Sequence, residues 1–130
     1  MNHKFNIRII SLICLSCFLI SCSGKLKEQY NGNWVMVKSS TDGENEGINH
    51  FISQGLIVEL QMDTQNEKFC VLMEDEELNK GKLYKMDGYY RGAIPNGETG
   101  GTLWADIKIK SDGYLHYSTG YNIDYLFVKK

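Results

Sequence analysis

The chain has 130 residues, with 14 Lys and Arg against 16 Asp and Glu and a formal net charge of −2. Lys4 and Arg8 are the only charged residues before Lys25, so the remainder is more acidic, with 12 basic and 16 acidic side chains. That balance argues against nucleic-acid binding, which requires a basic patch, and the length after residue 21 suits one domain with a modest core.

Residues 1–21 read as a secretory signal. Positive charge at Lys4 and Arg8 precedes a run, Ile9 to Ile20, that is apolar apart from Ser11 and Ser16. The run is shorter than the roughly 20 residues needed to span a bilayer. At its end Leu19-Ile20-Ser21-Cys22, followed by Ser23-Gly24, resembles the lipobox of bacterial lipoproteins, an aliphatic residue and a short pair before the cysteine that is acylated. The resemblance implies cleavage before Cys22, diacylglycerol on its thiol and a palmitate-like chain on its new amino group. At about 0.8 kcal/mol per buried CH₂, two or more chains anchor a protein stably. The implied location is the cell envelope, lipid-anchored, with Ser23 compatible with the outer membrane. Loss of Cys14 and Cys17 with the signal, and acylation of Cys22, leave Cys70 as a lone thiol, expected in the core within Phe69-Cys70-Val71-Leu72-Met73.

Residues 22–31 are short and polar, as a tether is, with room for one helical turn; the folded domain is expected over 32–130. Eight short runs rich in Val, Ile, Tyr, Phe and Trp follow: Trp34–Lys38, Leu56–Met62, Lys68–Met73, Lys82–Met86, Tyr89–Ile94, Leu103–Lys110, Tyr114–Thr119 and Ile123–Lys129. In the sixth, Leu103, Ala105, Ile107 and Ile109 alternate with Trp104, Asp106, Lys108 and Lys110, the pattern of a strand with one solvated face. Asp87-Gly88 and Asp112-Gly113 supply two-residue hairpin turns, since glycine adopts positive φ cheaply, and Asp63-Thr64-Gln65-Asn66 a third turn. Between the first two runs, Ile48, Phe51 and Ile52 stand at helical spacing, which predicts one or two turns with an apolar side lying over an end of the sheet.

Eight antiparallel strands with edges to eliminate predict an all-β fold, an up-and-down barrel whose interior side chains just fill or which holds one small ligand.

Gly32-Asn33-Trp34, immediately before Val35-Met36-Val37, resembles the Gly-x-Trp opening of the first strand in lipocalins and in the small lipocalin-like domains of bacterial lipoproteins. The Thr-Asp motif of full lipocalins has no counterpart beyond Asn122-Ile123-Asp124-Tyr125, so the resemblance is to the short form. It implies that Trp34 packs across a closed end of the barrel, with Lys129 or Lys130 covering it. It also implies non-covalent binding of a small apolar molecule or envelope lipid inside. The inward residues expected to meet that ligand are Val58, Leu60, Phe69, Val71, Ile107, Leu115, Tyr117 and Phe127.

Chemistry-bearing groups are sparse. Glu74-Asp75-Glu76-Glu77 reads as a solvated connection, because successive carboxylates in a turn point apart instead of converging on a cation. His50 and His116 are too few for a zinc site, and no nucleophile lies in a catalytic context. No metal, cofactor or enzymatic activity is expected. The alternative to ligand binding is a filled barrel acting through its outer face on an envelope protein, as an inhibitor, immunity factor or accessory subunit. Trp104, Tyr89 and Arg91 would then form the contact.

Overall fold

Eight strands wrap into a closed cylinder in which each pairs antiparallel with its sequence neighbours, and the last pairs with the first. The computed structural model describes residues 24–120 and 122–130; the expected signal, the expected acylation site at Cys22, Ser23 and Tyr121 lie outside the described residues. The strands are β1 (Gly32–Ser39), β2 (Val58–Asp63), β3 (Lys68–Met73), β4 (Glu76–Lys85), β5 (Tyr90–Pro95), β6 (Thr102–Ile109), β7 (Leu115–Thr119) and β8 (Asp124–Lys129). The expected up-and-down barrel of lipocalin-like form is therefore the observed architecture. Two short helices accompany it, α1 over residues 24–30 and α2 (Gly47–Ser53).

Period-2 patterning drives the closure. Trp34 and Met36 on β1, Val58, Leu60 and Met62 on β2, and Ala105 and Ile107 on β6 are buried, while the residues between them are not. A sheet whose inner face is apolar throughout buries it by curling, and joining β1 to β8 removes both edges. The β1–β8 pairing slips by one residue between Met36 and Lys38, a bulge that lets β1 bend.

One end of the barrel is plugged. Tyr30, at the end of α1, is 1% exposed and its ring lies 5.2 Å from that of Tyr90. Its hydroxyl accepts a 2.8 Å hydrogen bond from the Ile109 amide, and its carbonyl accepts one from Trp34 Nε1 at 3.0 Å. The Thr64 hydroxyl donates to Lys27 O, and the Thr64 amide to Asn31 Oδ1. Thus residues 24–31, assigned from sequence to a tether, are packed against the barrel base. Composition misled because only Leu26 and Tyr30 in this stretch are large and apolar, too few to show periodicity.

Two turns also differ from expectation. The link between β3 and β4 is only Glu74-Asp75, both at positive φ (50° and 66°), so Glu76 and Glu77 already belong to β4. Backbone strain there is offset by Ile57, whose carbonyl accepts from the Glu74 amide and whose own amide donates to the Glu74 carboxylate. At Asp112-Gly113 the loop is three residues long, closed by the Lys110 amide on Tyr114 O, with Gly113 at φ 85°. Asp87-Gly88 does form a two-residue turn, closed by the Met86 amide on Tyr89 O.

Helix α2 stands beside β1 at the other end. Ile48 and Ile52 pack on the core, but Phe51 is 58% exposed, contrary to the predicted apolar trio. Asn49 sets the rotation: its side chain accepts from the Ser39 amide at 2.7 Å and donates to the Ser39 and Asp42 carbonyls. With residue 49 turned toward β1, residues 48 and 52 flank it and residue 51 points away.

Candidate functional site

The barrel is packed at the α1 end and hollow at the other. In the packed half Leu60, Ile107 and Leu115 are fully buried. Phe69 occupies the centre because its neighbours have no side chain: a Cβ on Gly92 would lie 2.8 Å from the Phe69 ring, and one on Gly81 3.1 Å from it. Trp34 closes the base. Lys129 Nζ sits 5.5 Å from the centre of the Trp34 ring and donates to Glu28 O at 3.4 Å. To reach them, the lysine stem crosses Gly32, where an added Cβ would meet Lys129 Cε at 3.3 Å and where φ is +118°. Both glycine and tryptophan of the motif thus have a physical reason, and Lys129 is the covering cation.

Above this layer a cavity of about 780 Å³ opens toward α2 and the β7–β8 turn. Of the residues expected to meet a ligand, Val58, Val71, Tyr117 and Phe127 line it. Leu60, Phe69, Ile107 and Leu115 lie below, within the packed core, and the edge of the Phe69 ring also reaches a hollow on the outer wall. Sequence reading passed over Met36, Met73 and Ile94, which complete the apolar wall, and Ile48 of α2 at the rim. The methionines and Ile94 lie on the same inward register as the predicted residues, so strand alternation was the available signal.

Its polar groups are few. Tyr117 is stacked among Tyr125 and Phe127, and burial pushes its phenol up to about 12, so it remains neutral. The Thr119 hydroxyl, paired in register with Ala105 and hence inward, is buried without a hydrogen-bond partner among the described residues. Among the described residues no histidine, carboxylate or thiol lines the cavity, and Arg91 is the charged side chain at its border, with Asn79 and Thr102 beside it. These walls can hold a ligand by apolar contact, by a hydroxyl or two and by the Arg91 guanidinium, whose Nε is buried without a hydrogen-bond partner among the described residues.

A gap in the sheet adjoins the cavity. The β4–β5 ladder runs only from Lys82–Ala93 to Lys85–Tyr90, so Glu76–Gly81 is paired with β3 alone. Leu78 and Asn79 from this stretch border the cavity across from Ile94 and Leu103. A second hollow, about 790 Å³, lies on the outer wall, but Lys68, Lys80, Lys82 and Glu77 border it, and long solvated side chains make a poor apolar site.

On the outer face Trp104 is 44% exposed, with Arg91 4.9 Å over its ring and Tyr84 5.8 Å away. Arg91 also lies 3.4 Å from Asp106. Tyr89 does not join them; it is partly buried at the base beneath Lys108. Cys70 is likewise on the outer face, partly exposed, contrary to the expected core position. Its neighbours Phe69 and Val71 take the inward register, so the run is apolar on both sides. Its thiol donates to Gln61 Oε1, and desolvation together with Glu77 raises its pKa, which keeps it protonated and inert.

His116 is buried on the outer face, its Nδ1 2.8 Å from Asp124 and its Nε2 2.8 Å from Asp112. The Ser118 hydroxyl donates to Asp124, not to the imidazole. With both ring nitrogens taken up by carboxylates, this cluster ties two hairpins together and leaves no base free for a nucleophile.

Neither protein-family models nor curated proteins nor solved structures yield a match to this chain.

Proposed function

We propose that this chain is an acyl-anchored envelope lipoprotein whose lipocalin-like barrel binds a small, mainly apolar molecule non-covalently and without catalysis. The observation that carries the binding role is the half-hollow interior, about 780 Å³ of apolar-walled space within the usual range of small-molecule sites. The anchoring role rests on the lipobox alone. Cys22 would put the acyl chains two residues before α1, and α1 plugs the base. The mouth would then face away from the membrane that holds the chain, and ligand would enter from the aqueous side. Outer-membrane residence belongs to the same proposal.

Binding is tested with a neutral naphthylamine dye that fluoresces in apolar surroundings. Wild-type protein should take it up. Ala105→Phe, which places a ring in the hollow, should not, while its circular dichroism stays that of a β protein. Equal uptake by both proteins would remove the cavity from the argument. Cys22→Ala should leave the product free in the periplasm; membrane retention of that variant would refute the anchor.

A second reading, contact with an envelope protein through the outer wall, is favoured by the exposed Trp104 with Arg91 and Tyr84 around it. Trp104→Ser should abolish partner capture without loss of stability if that wall is the contact.

A further inference from the structure

We infer that the ligand of this cavity is a carboxylate amphiphile, its apolar part in the hollow and its anionic end on the guanidinium of Arg91. The inference rests on the cavity reading above and names the ligand class and the residue that takes the polar end. Three side-chain polar atoms among the described residues are buried without a hydrogen-bond partner: the Tyr90 hydroxyl, Arg91 Nε and the Thr119 hydroxyl. Two of the three come together. Arg91 and Thr119 both line the cavity and both line a smaller hollow of about 420 Å³ on the outer face, and Trp104 and Gly120 also border both.

The sheet explains why the two hollows meet there. Strand β7 ends at Thr119, opposite Ala105, so Thr102, Leu103 and Trp104 of β6 have no partner on that side and the wall is interrupted beside Gly120. Arg91 belongs to β5, on the far side of β6 from that interruption. Its guanidinium lies 4.9 Å over the Trp104 ring, and this stacking holds the cation at the lip.

Arg91 has a charge partner and no hydrogen bond to it. Asp106 Oδ1 is 3.4 Å from Nε without the alignment that a hydrogen bond needs, and Asp106 borders the outer hollow, not the cavity. Asp124, the other carboxylate of the outer hollow, is taken up by His116 and Ser118. A guanidinium carries five N–H donors in a rigid fork that fits the two oxygens of a carboxylate. A buried donor left without an acceptor is costly, and a ligand that supplies the acceptor removes that cost. The Thr119 hydroxyl offers one more donor to the same group. An ammonium end would be repelled by Arg91 and would find no carboxylate among the described residues that line the cavity. An alcohol offers the fork one oxygen where a carboxylate offers two.

The test is isothermal titration of the intact protein with three ten-carbon probes, decanoate, decanol and decyltrimethylammonium. Decanoate should bind about tenfold more tightly than decanol, and the cation more weakly than either. Arg91→Gln should abolish that preference and keep the affinity for decanol. Asp106→Asn removes the carboxylate that competes for the guanidinium, so it should raise decanoate affinity severalfold and leave decanol unchanged. Should Arg91→Gln not fold, Asp106→Asn decides alone by the same readout. Decanol binding as tight as decanoate, a preference that survives Arg91→Gln, or no response to Asp106→Asn would overturn this inference and leave the cavity reading standing. Binding of none of the three probes would overturn both.

Discussion

Phe69 can stand at the centre of the barrel only because Gly81 and Gly92 stand back from it, and aromatic rings do not yield as flexible chains do. Gly92→Ala would press a methyl to 2.8 Å of the ring, and the expected loss is about 1–3 kcal/mol, read from urea unfolding. Adding Phe69→Leu should return part of that loss; strictly additive losses would mean that ring and glycine do not meet. Tyr117 gives a second residue-scale expectation. The phenol pKa is raised by burial, first, and by nearby Tyr125, so the fold holds it neutral up to about 12 while an unfolded chain ionises it near the ordinary tyrosine value of about 10. A raised folded pKa contributes stability that is complete below the unfolded value and is lost as pH climbs through the folded one. Stability should therefore fall between pH 10 and 12, and Tyr117→Phe should flatten that limb in chemical unfolding measured across the range.

Helix α1 shows what an element adds when few of its residues are apolar. Tyr30 is its fully buried side chain, with Leu26 packed against the core beside it, and the Tyr30 hydroxyl accepts from the Ile109 amide at the end of β6. Tyr30→Phe keeps the packing and leaves that amide without its acceptor, at a cost of about 1–3 kcal/mol. Thermal or urea unfolding of the pair of proteins measures it, and an unchanged midpoint would show that water replaces the hydroxyl. Sequence pattern reached the elements unevenly. Strand β6 was legible because four inward apolar residues alternate with polar ones. Strand β3 was legible in its bounds, although Cys70 was put on the wrong side, since a run apolar on both faces does not say which face is inner. The first half of β4, Glu76 to Gly81, was not legible as a strand. It carries one large apolar residue, pairs on one side only, and follows a turn that adopts positive φ without glycine or asparagine. Helix α1 hid for the opposite reason, a polar composition around one anchoring side chain.

Across the whole molecule, stability and binding fall to different halves of one cylinder. The cavity was only half legible from sequence, because alternation tells which residues point inward and not whether opposing side chains meet. Leu60 and Ile107 meet their neighbours; Val58, Val71 and Tyr117 border open space. This division makes an unequal mutational response the sharpest test of the architecture. Leu60→Ala empties a site with no solvent access, and its cost should be about 2–5 kcal/mol. Affinity for a neutral apolar probe, counted per folded molecule, should hardly change, since Leu60 does not touch the hollow. Val71→Ala should cost clearly less, because a side chain that already borders a void has fewer contacts to lose, yet it should weaken the probe by removing part of the wall. Urea unfolding and probe titration on the same two variants read both quantities. Equal costs, with no effect of Val71→Ala on the probe, would mean that the upper half is as tightly packed as the lower, and the ligand would have to be sought on the outer wall around Trp104.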